Sequence, residues 1–297
     1  MMGPSVMTKK SMLKKFFKKE ETVLMLFALP GLLGLLAFYV IPFLISFYFT
    51  LINNNVAKNF VGLHNFIELL SNEAFLLGLK NTAIFMAICV PVNMIFPLAV
   101  AMLLNKTVRM KSLFCLIFLL PLVIPSGSVA HFWKSIFGLN GVINGAFFAG
   151  APVNWLDTQW CRSLITTIFI WKNAGYNIVL FLAGLQAIPK EYYEYAAVEG
   201  ANALNKFFRI TLVYIIPTTF LVFIMSVINS FKSFKEIYLI CGAYPHQSIY
   251  MLQHYMNNQF SALNYQKLAS AAYVLSIFIV ILVFFFYRLQ YKQAKNF

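Results

Sequence analysis

The sequence predicts an all-α, polytopic membrane protein with six transmembrane helices and both termini on the cytoplasmic side. Three observations lead there. Of 297 residues, 61% are hydrophobic and 17% aromatic while 11% are charged, and the mean hydropathy is positive; a soluble domain cannot hide that much apolar surface. The apolar residues come in charge-free runs about as long as the ~20 residues that cross a ~30 Å hydrocarbon core. The formal net charge of +14 lies between those runs and not on one polar face, which orients a membrane protein and argues against nucleic-acid binding.

Residues 1–21 form a basic segment carrying Lys9, Lys10, Lys14, Lys15, Lys18 and Lys19, and no charge follows from Thr22 to Ala57. That stretch exceeds the roughly 7 to 15 residues of a secretory signal core. It reads as an uncleaved first span over residues 23–51, kinked at Pro30 and Pro42. After Asn53-Asn54-Asn55, residues 60–70 (FVGLHNFIELL) fit a short helix lying at the outer interface. The second span covers 81–105, interrupted by Pro91 and Pro97, and a basic turn of Lys106, Arg109 and Lys111 leads to a third over 112–133, loosened at Pro121, Pro125 and Gly127. In residues 137–160 the turn signals Asn140-Gly141, Asn144-Gly145, Gly150, Pro152 and Asp157 override fair hydrophobicity and predict an outer loop. The fourth span covers 163–187 and the fifth 210–231. An aromatic-rich outer stretch, 232–267, precedes the sixth span, 268–287, so the membrane domain is 22–288 and the tail 289–297.

With the N-terminus inside, the inner segments also hold Lys106, Arg109, Lys111, Lys190, Lys206, Arg209, Arg288, Lys292 and Lys295. The outer ones hold Lys58, Lys80, Lys134, Arg162, Lys232, Lys235 and Lys267. The inner count is roughly twice the outer, the bias expected of cytoplasmic loops. Under this topology all nine acidic residues (Glu20, Glu21, Glu68, Glu73, Asp157, Glu191, Glu194, Glu199 and Glu236) fall at span ends or in loops. No carboxylate is then expected at depth to relay a proton or hold an ion. No Gly-x-x-x-x-Gly-Lys-Ser/Thr loop is present for nucleotide phosphates either, so the energy for any transport comes from elsewhere. The four cysteines show no paired short spacing and read as structural, Cys89 and Cys115 falling in apolar runs, with a meeting of Cys161 and Cys241 outside as the lesser alternative; the four histidines are scattered, so no metal site is expected.

The one long charged, helix-forming run between apolar segments is 189–217. Pro189 suits a first helical position, with Glu191 and Glu194 in the first turns. Tyr192, Tyr193, Ala196, Ala197 and Gly200 recur at three- and four-residue spacing, and Gly200 can end the helix. A second short segment, 201–208, follows. Together, residues 189–208 make a rigid knuckle of two short helices.

That run resembles the cytoplasmic coupling loop of the permease subunits of binding-protein-dependent ABC importers, which carries Glu-Ala-Ala, three residues, Gly, nine residues and Ile-x-Leu-Pro. Glu194, Ala196, Gly200, Ile210 and Leu212 hold the matching positions, while Tyr195 stands where the first Ala is usual and Val213 where the Pro is usual. The likeness extends through FVGLHNF, LNKTVRMKSLF and WKNAGYNIVLFLAGLQAIPKEYYE, and is nearest the maltose-type sugar and glycerol-phosphate permeases. It implies a non-catalytic subunit in the bacterial inner membrane. Its implied partners are a second homologous permease, two ATP-binding subunits that hold ATP and Mg, an external solute-binding protein and membrane lipid. It makes Glu191, Glu194, Ala196, Ala197, Glu199 and Gly200 the contact to the ATPase, and places Gly242-Ala243-Tyr244-Pro245-His246 at a loop that meets the solute-binding protein.

For the cargo path, Lys172, Asn173, Tyr176 and Asn177 share one or two adjoining faces of the fourth span, and Asn229, Phe231 and Phe234 lie at the outer end of the fifth. Polar groups beside flat rings suit sugars, although aromatics are also usual at interfaces and Asn often bonds neighbouring helices. Lys172, a cation at depth, needs a wet cavity or a partner. With no carboxylate expected nearby, that partner could be backbone carbonyls, the second permease, or an anionic substrate such as glycerol phosphate. The alternatives to an ATP-driven sugar importer are an ion-coupled secondary carrier and a membrane-embedded enzyme; the second would need a cluster of acids or histidines at one depth.

Overall fold

A computed structural model describes residues 20–53, 59–106 and 110–295. Most of the basic start and the last two residues of the tail lie outside the described residues, as do Asn54, Asn55, Lys58 and Arg109. The described residues are helical, joined by turns, and the one β-bridge pairs Ile52 with Phe60. Among the described residues, five helical stretches are long and apolar enough to cross a membrane, and a bent pair makes a sixth if counted as one span.

The first stretch is α1 (Glu20–Leu35) and α2 (Ile41–Thr50), joined by a π-turn at Leu36–Val40. Pro42 has no N–H to give to the turn before it, and the backbone opens by one residue so that the Ile41 N–H reaches the Leu36 carbonyl. Its most apolar window buries nothing against the rest of the chain, and α2 leans on the last helix through the Tyr273 hydroxyl, which donates to the Phe43 carbonyl. The short helix expected at 60–70 is α3 (His64–Leu70). Next, α4 (Glu73–Asn105) starts eight residues before the expected span because Asn72 caps it, its side chain accepting from the Phe75 N–H at 2.9 Å.

The expected third span is broken. Helix α5 (Lys111–Val123) and the stretch beginning at α6 (Ser126–Phe137) meet at 94°. Pro125 forces Ile124 into an extended conformation (ψ 127°) and supplies no N–H to continue α5, so the prolines make an elbow and not a loosened helix. The expected loop 137–160 also contains a helix, α7 (Val142–Phe147), and a 3-10 turn at Trp155–Asp157. Both are pinned by the buried Asn144: its Nδ2 donates to the Gly138, Leu139 and Val153 carbonyls and its Oδ1 accepts from the Val153 N–H and Trp155 Nε1.

Helix α8 (Cys161–Gln186) is the centre of the packing and lies along α4 more extensively than any other pair of elements. It touches α5 where Gly175 removes a side chain; a Cβ there would lie 1.9 Å from the Phe118 carbonyl oxygen. Beyond α8 come α9 (Lys190–Val198), α10 (Ala203–Lys206), a second π-turn at Phe207–Thr211 and a last turn, α11 (Leu212–Tyr214). The fifth span then begins at Ile216, not at 210, because Pro217 cannot donate to the preceding turn and instead sits in the first turn of α12 (Ile216–Lys232). It continues with only a slight break at Ser233 into α13 (Phe234–Cys241), within the stretch 232–267 expected to lie outside. Last come α14 (Leu252–Ser261) and α15 (Tyr265–Lys295).

Two buried apolar clusters hold α8 in place. One joins Phe85, Ile165, Phe169, Ile237 and Ile240 near the start of α8. The other joins Ala101, Ile178, Phe181, Ile215 and Val222 near its end.

Candidate functional site

A cavity of about 450 Å³ lies against the first of these clusters, where the α5–α6 elbow meets α8, α12 and α13. Lys172 enters it from the middle of α8, and Glu236 from α13, one turn beyond the Ser233 break. The two form an ion pair with side chains 14% and 11% exposed. Ser126, the first residue after the elbow, donates its hydroxyl to the same Glu236 oxygen at 2.7 Å, with Lys172 Nζ 3.4 Å from the hydroxyl oxygen. Three elements therefore converge on one carboxylate. Asn173 and Asn229 complete the polar wall with Lys232 and Lys235, Asn173 being tied to its own helix by a 2.9 Å bond to the Phe169 carbonyl.

The expectation that no carboxylate lies near Lys172 is overturned by Glu236, which is buried and within a spanning helix. The error came from ending the fifth span at its first lysine. Phe234, Ile237, Ile240 and Cys241 continue the three- and four-residue apolar spacing past Lys232, and that signal places Glu236 on a helix face. Ser126 carried no comparable signal, since only the elbow brings it here.

Of the expected path residues, Lys172, Asn173 and Asn229 line the cavity, whereas Tyr176, Asn177, Phe231 and Phe234 are outside its wall. Asn177 is buried between α4, α8 and α12, donating to the Asn93 carbonyl at 2.8 Å and to Ser226 Oγ at 3.0 Å, the interhelical role that polar residues play in membranes. Phe231 packs against apolar clusters of α4, α12, α14 and α15. Phe234 meets Tyr238 and lies edge-on to His254 at 4.9 Å. That histidine is fully enclosed on α14, and burial lowers its pKa to about 4.

The second candidate surface is α9 with its flanks. Pro189 occupies the capping position, one residue before the first helical position expected for it. The helix ends in a Schellman turn: Gly200 adopts φ +77°, its N–H reaching the Ala197 carbonyl at 3.1 Å and that of Ala201 the Ala196 carbonyl at 2.8 Å. Asn202 then caps α10, accepting from the Asn205 N–H at 2.8 Å. One face of α9 rests on its own chain. The Tyr193 hydroxyl meets that of Thr211 at 2.9 Å, and the Tyr192 ring lies 4.9 Å from Tyr214, whose phenol is raised from its ordinary value by the hydrogen bond to Tyr192.

No residue of α9 is buried. Glu191, Glu194, Ala197, Glu199 and Gly200 are exposed and Ala196 is half-buried. Tyr195 is 71% and Val198 88% exposed, with Leu204 and Phe208 continuing the exposed apolar surface. A groove of about 450 Å³ separates α9 from the following turns, with Glu199 on one side and Lys206 and Arg209 on the other. Among the described residues no group of His, Cys, Asp or Glu is arranged to hold a metal.

Comparison with known proteins adds the following. The profile described as "Binding-protein-dependent transport system inner membrane component" matches residues 82–296. The chain is 35% identical over 231 residues, 75% of its length and 74% of the relative's, to the probable ABC transporter permease protein YesP of Bacillus subtilis (strain 168). It is 28% identical over 300 residues, 97% and 98% of the two lengths, to the lactose transport system permease protein LacF of Rhizobium radiobacter. Its fold matches a chain of the bacterial alginate ABC transporter, solved in complex with an alginate pentasaccharide-bound periplasmic protein, with a TM-score of 0.77 at 22% identity, covering 92% and 95% of the two chains.

Proposed function

The chain belongs to the family of binding-protein-dependent transport system inner membrane components, and from that premise we propose that it moves a sugar or oligosaccharide inward by alternating access, driven by separate ATPase subunits that grip α9. The observation that carries this reading is the exposure of α9. Tyr195 and Val198 are exposed on a short helix fixed at both ends, and Leu204 and Phe208 are exposed on the turns that follow it; exposed apolar residues beside Glu191, Glu194 and Glu199 are the mark of a protein contact. In this reading the termini and α9 are cytoplasmic, as the excess of basic residues on that side supports. The remaining partners are a second homologous permease, a solute-binding protein outside and the lipid of the inner membrane. ATP and Mg belong to the ATPase partners.

The cavity supplies the cargo end. Neutral hydroxyls find Asn173, Asn229 and Ser126 there, and apolar sugar faces find Phe169 and Ile237. Glu236 already neutralises Lys172, so that cation needs no phosphate from the cargo, whereas Lys232 and Lys235 on the same wall leave two further positive charges. The ion-coupled carrier has no observation of its own, since the one carboxylate at the cavity is engaged by Lys172 and Ser126.

The test is a transporter reconstituted with its ATPases, partner permease and solute-binding protein. A single cysteine replacing Val198 should cross-link to the ATPase subunit. Gly200→Trp, whose Cβ meets nothing within 4 Å but whose φ of +77° strains the turn that ends α9, should abolish uptake while the subunits still assemble. Undiminished uptake by Gly200→Trp, together with no cross-link from position 198, would refute the coupling role.

A further inference from the structure

We infer that Cys161 and Cys241 form a disulfide on the extracytoplasmic face, stapling the start of α8 to the end of α13 beside the Lys172–Glu236 cavity. The inference takes its side of the membrane from the orientation under Proposed function. Cys161 is the first residue of α8 and Cys241 the last of α13. Their sulfurs are 3.5 Å apart, each thiol being the other's partner, although 80 positions separate them in sequence. To reach bonding distance the sulfurs need to close by about 1.5 Å. Both sit against the same packed cluster of Ile165, Ile237 and Ile240, so neither helix end is free to carry its sulfur away.

The other two cysteines differ. Cys89 is interior to α4 and turned to the Thr166 hydroxyl, and Cys115 lies on α5 against the opposite cluster around Ala174 and Ile178. The pairing is thus selective, and the compartment outside the membrane is one in which disulfides persist.

The accessibilities set the order of the chemistry. Cys161 is fully buried and Cys241 partly open. The Cys241 thiolate attacks one sulfur of an oxidant disulfide, such as that of an extracytoplasmic dithiol oxidase, and releases the oxidant's other sulfur as a thiolate. The Cys161 thiolate then attacks Cys241 Sγ and expels the first oxidant sulfur. Two protein thiols become one disulfide, and their two protons pass through water to the two released oxidant sulfurs, so that the oxidant leaves as a dithiol. The new bond lies five residues beyond Glu236 and eleven before Lys172, so it ties together the two elements that carry the ion pair. That wall of the cavity then moves as one body.

The experiment uses the full chain within its assembled transporter. Intact cells are quenched in acid, free thiols are alkylated under denaturing conditions, and unreduced peptides are weighed. A peptide pair joined through Cys161 and Cys241, two hydrogens lighter than the sum and absent from both Cys161→Ala and Cys241→Ser, supports the disulfide. Cys89 and Cys115 should carry the alkylating label in the same sample. Treating intact cells with a membrane-impermeant phosphine before quenching should remove the bond, as its outer location requires. Finding Cys161 and Cys241 both alkylated overturns the inference, as does a bond that appears only after an added diazene oxidant. A bond that resists the phosphine in intact cells but yields in inverted vesicles overturns the orientation. The cross-link from position 198 reads the coupling role separately.

Discussion

Removing Glu236 should damage the protein more than removing the whole ion pair. Two unit charges 3–4 Å apart at an effective dielectric near 20 attract by about 4 kcal/mol, and breaking a buried pair from one side costs about 3–5 kcal/mol. With side chains 14% and 11% exposed beside an open cavity, the lower end applies. Glu236→Leu, which leaves a cation without its carboxylate, is expected to cost about 3 kcal/mol, a fall of roughly 6–12 °C in the thermal midpoint of the purified complex. Lys172→Met should cost less, since Ser126 still donates to the carboxylate at 2.7 Å. The double variant Lys172→Met, Glu236→Leu should recover most of the loss, to within about 1 kcal/mol of the parent, because neither charge is left stranded. Thermal unfolding of the four proteins, read side by side, checks this. A double variant that falls as far as the two singles combined would show that the charges do not meet.

Gly175→Ala should prevent α5 from seating on α8, because the new Cβ would meet the Phe118 carbonyl oxygen at 1.9 Å; the expected loss of folded protein in the membrane is measured against Gly145→Ala, where space is open. Asn144→Ala should cost about 2–3 kcal/mol by freeing the carbonyls of Gly138, Leu139 and Val153, read as faster proteolysis between residues 138 and 157. For His254, the folded pKa of about 4 lies below the ordinary 6.5, so the unfolded chain binds the extra proton between those values. Stability is then fully present above pH 6.5 and falls as pH drops toward 4, by about 3 kcal/mol in all. His254→Phe should flatten that slope in thermal melts taken from pH 7 to pH 4.5.

Charge-free length alone locates the helical core of five expected spans, all but the broken third, because a bilayer demands a continuous internally bonded helix whatever the side chains do. What it missed were helix ends set by single capping residues. Asn72 extends α4 backward, and Pro217 delays α12. The elbow at Pro125 is indistinguishable in sequence from a loosened helix, because nothing local separates a kink from a 94° turn; the angle depends on what α5 and α6 pack against. At α9 the spacing from Glu194 to Gly200 was legible, since a positive φ at Gly200 is a local requirement. Tyr192 and Tyr193 were not legible as an inward face, because Thr211 and Tyr214 reach them only through the π-turn. In the cavity, Lys172 was found by its isolation and Glu236 was lost by the same rule, as a charge near a span end counts as loop until the helix is known to continue.

One helix joins the two candidate surfaces. From Lys172 to Gln186, α8 runs without a proline or a break, about 21 Å of helix at ~1.5 Å per residue, and only Ala187, Ile188 and Pro189 separate it from α9. Ile188 is buried in the same cluster as Phe181 and Leu185, so the corner is packed and cannot hinge freely. By contrast α4 carries Pro91 and Pro97 within its length, and α12 is preceded by the break at Ile215. Under the proposed coupling, a displacement of α9 would reach Lys172 along α8 with less loss than along α4 or α12. At the far end that motion meets a carboxylate on α13 and a hydroxyl on α6, groups held by one short set of polar contacts. The ion pair is thus positioned to break or travel with α8 as a unit, and the cost of breaking it, about 3 kcal/mol, favours travel. The uptake of the charge-free double variant decides the point: if α8 and α13 move together, removing both charges should leave transport largely intact, whereas a pair that must open and close each cycle would make the same variant transport at an altered rate.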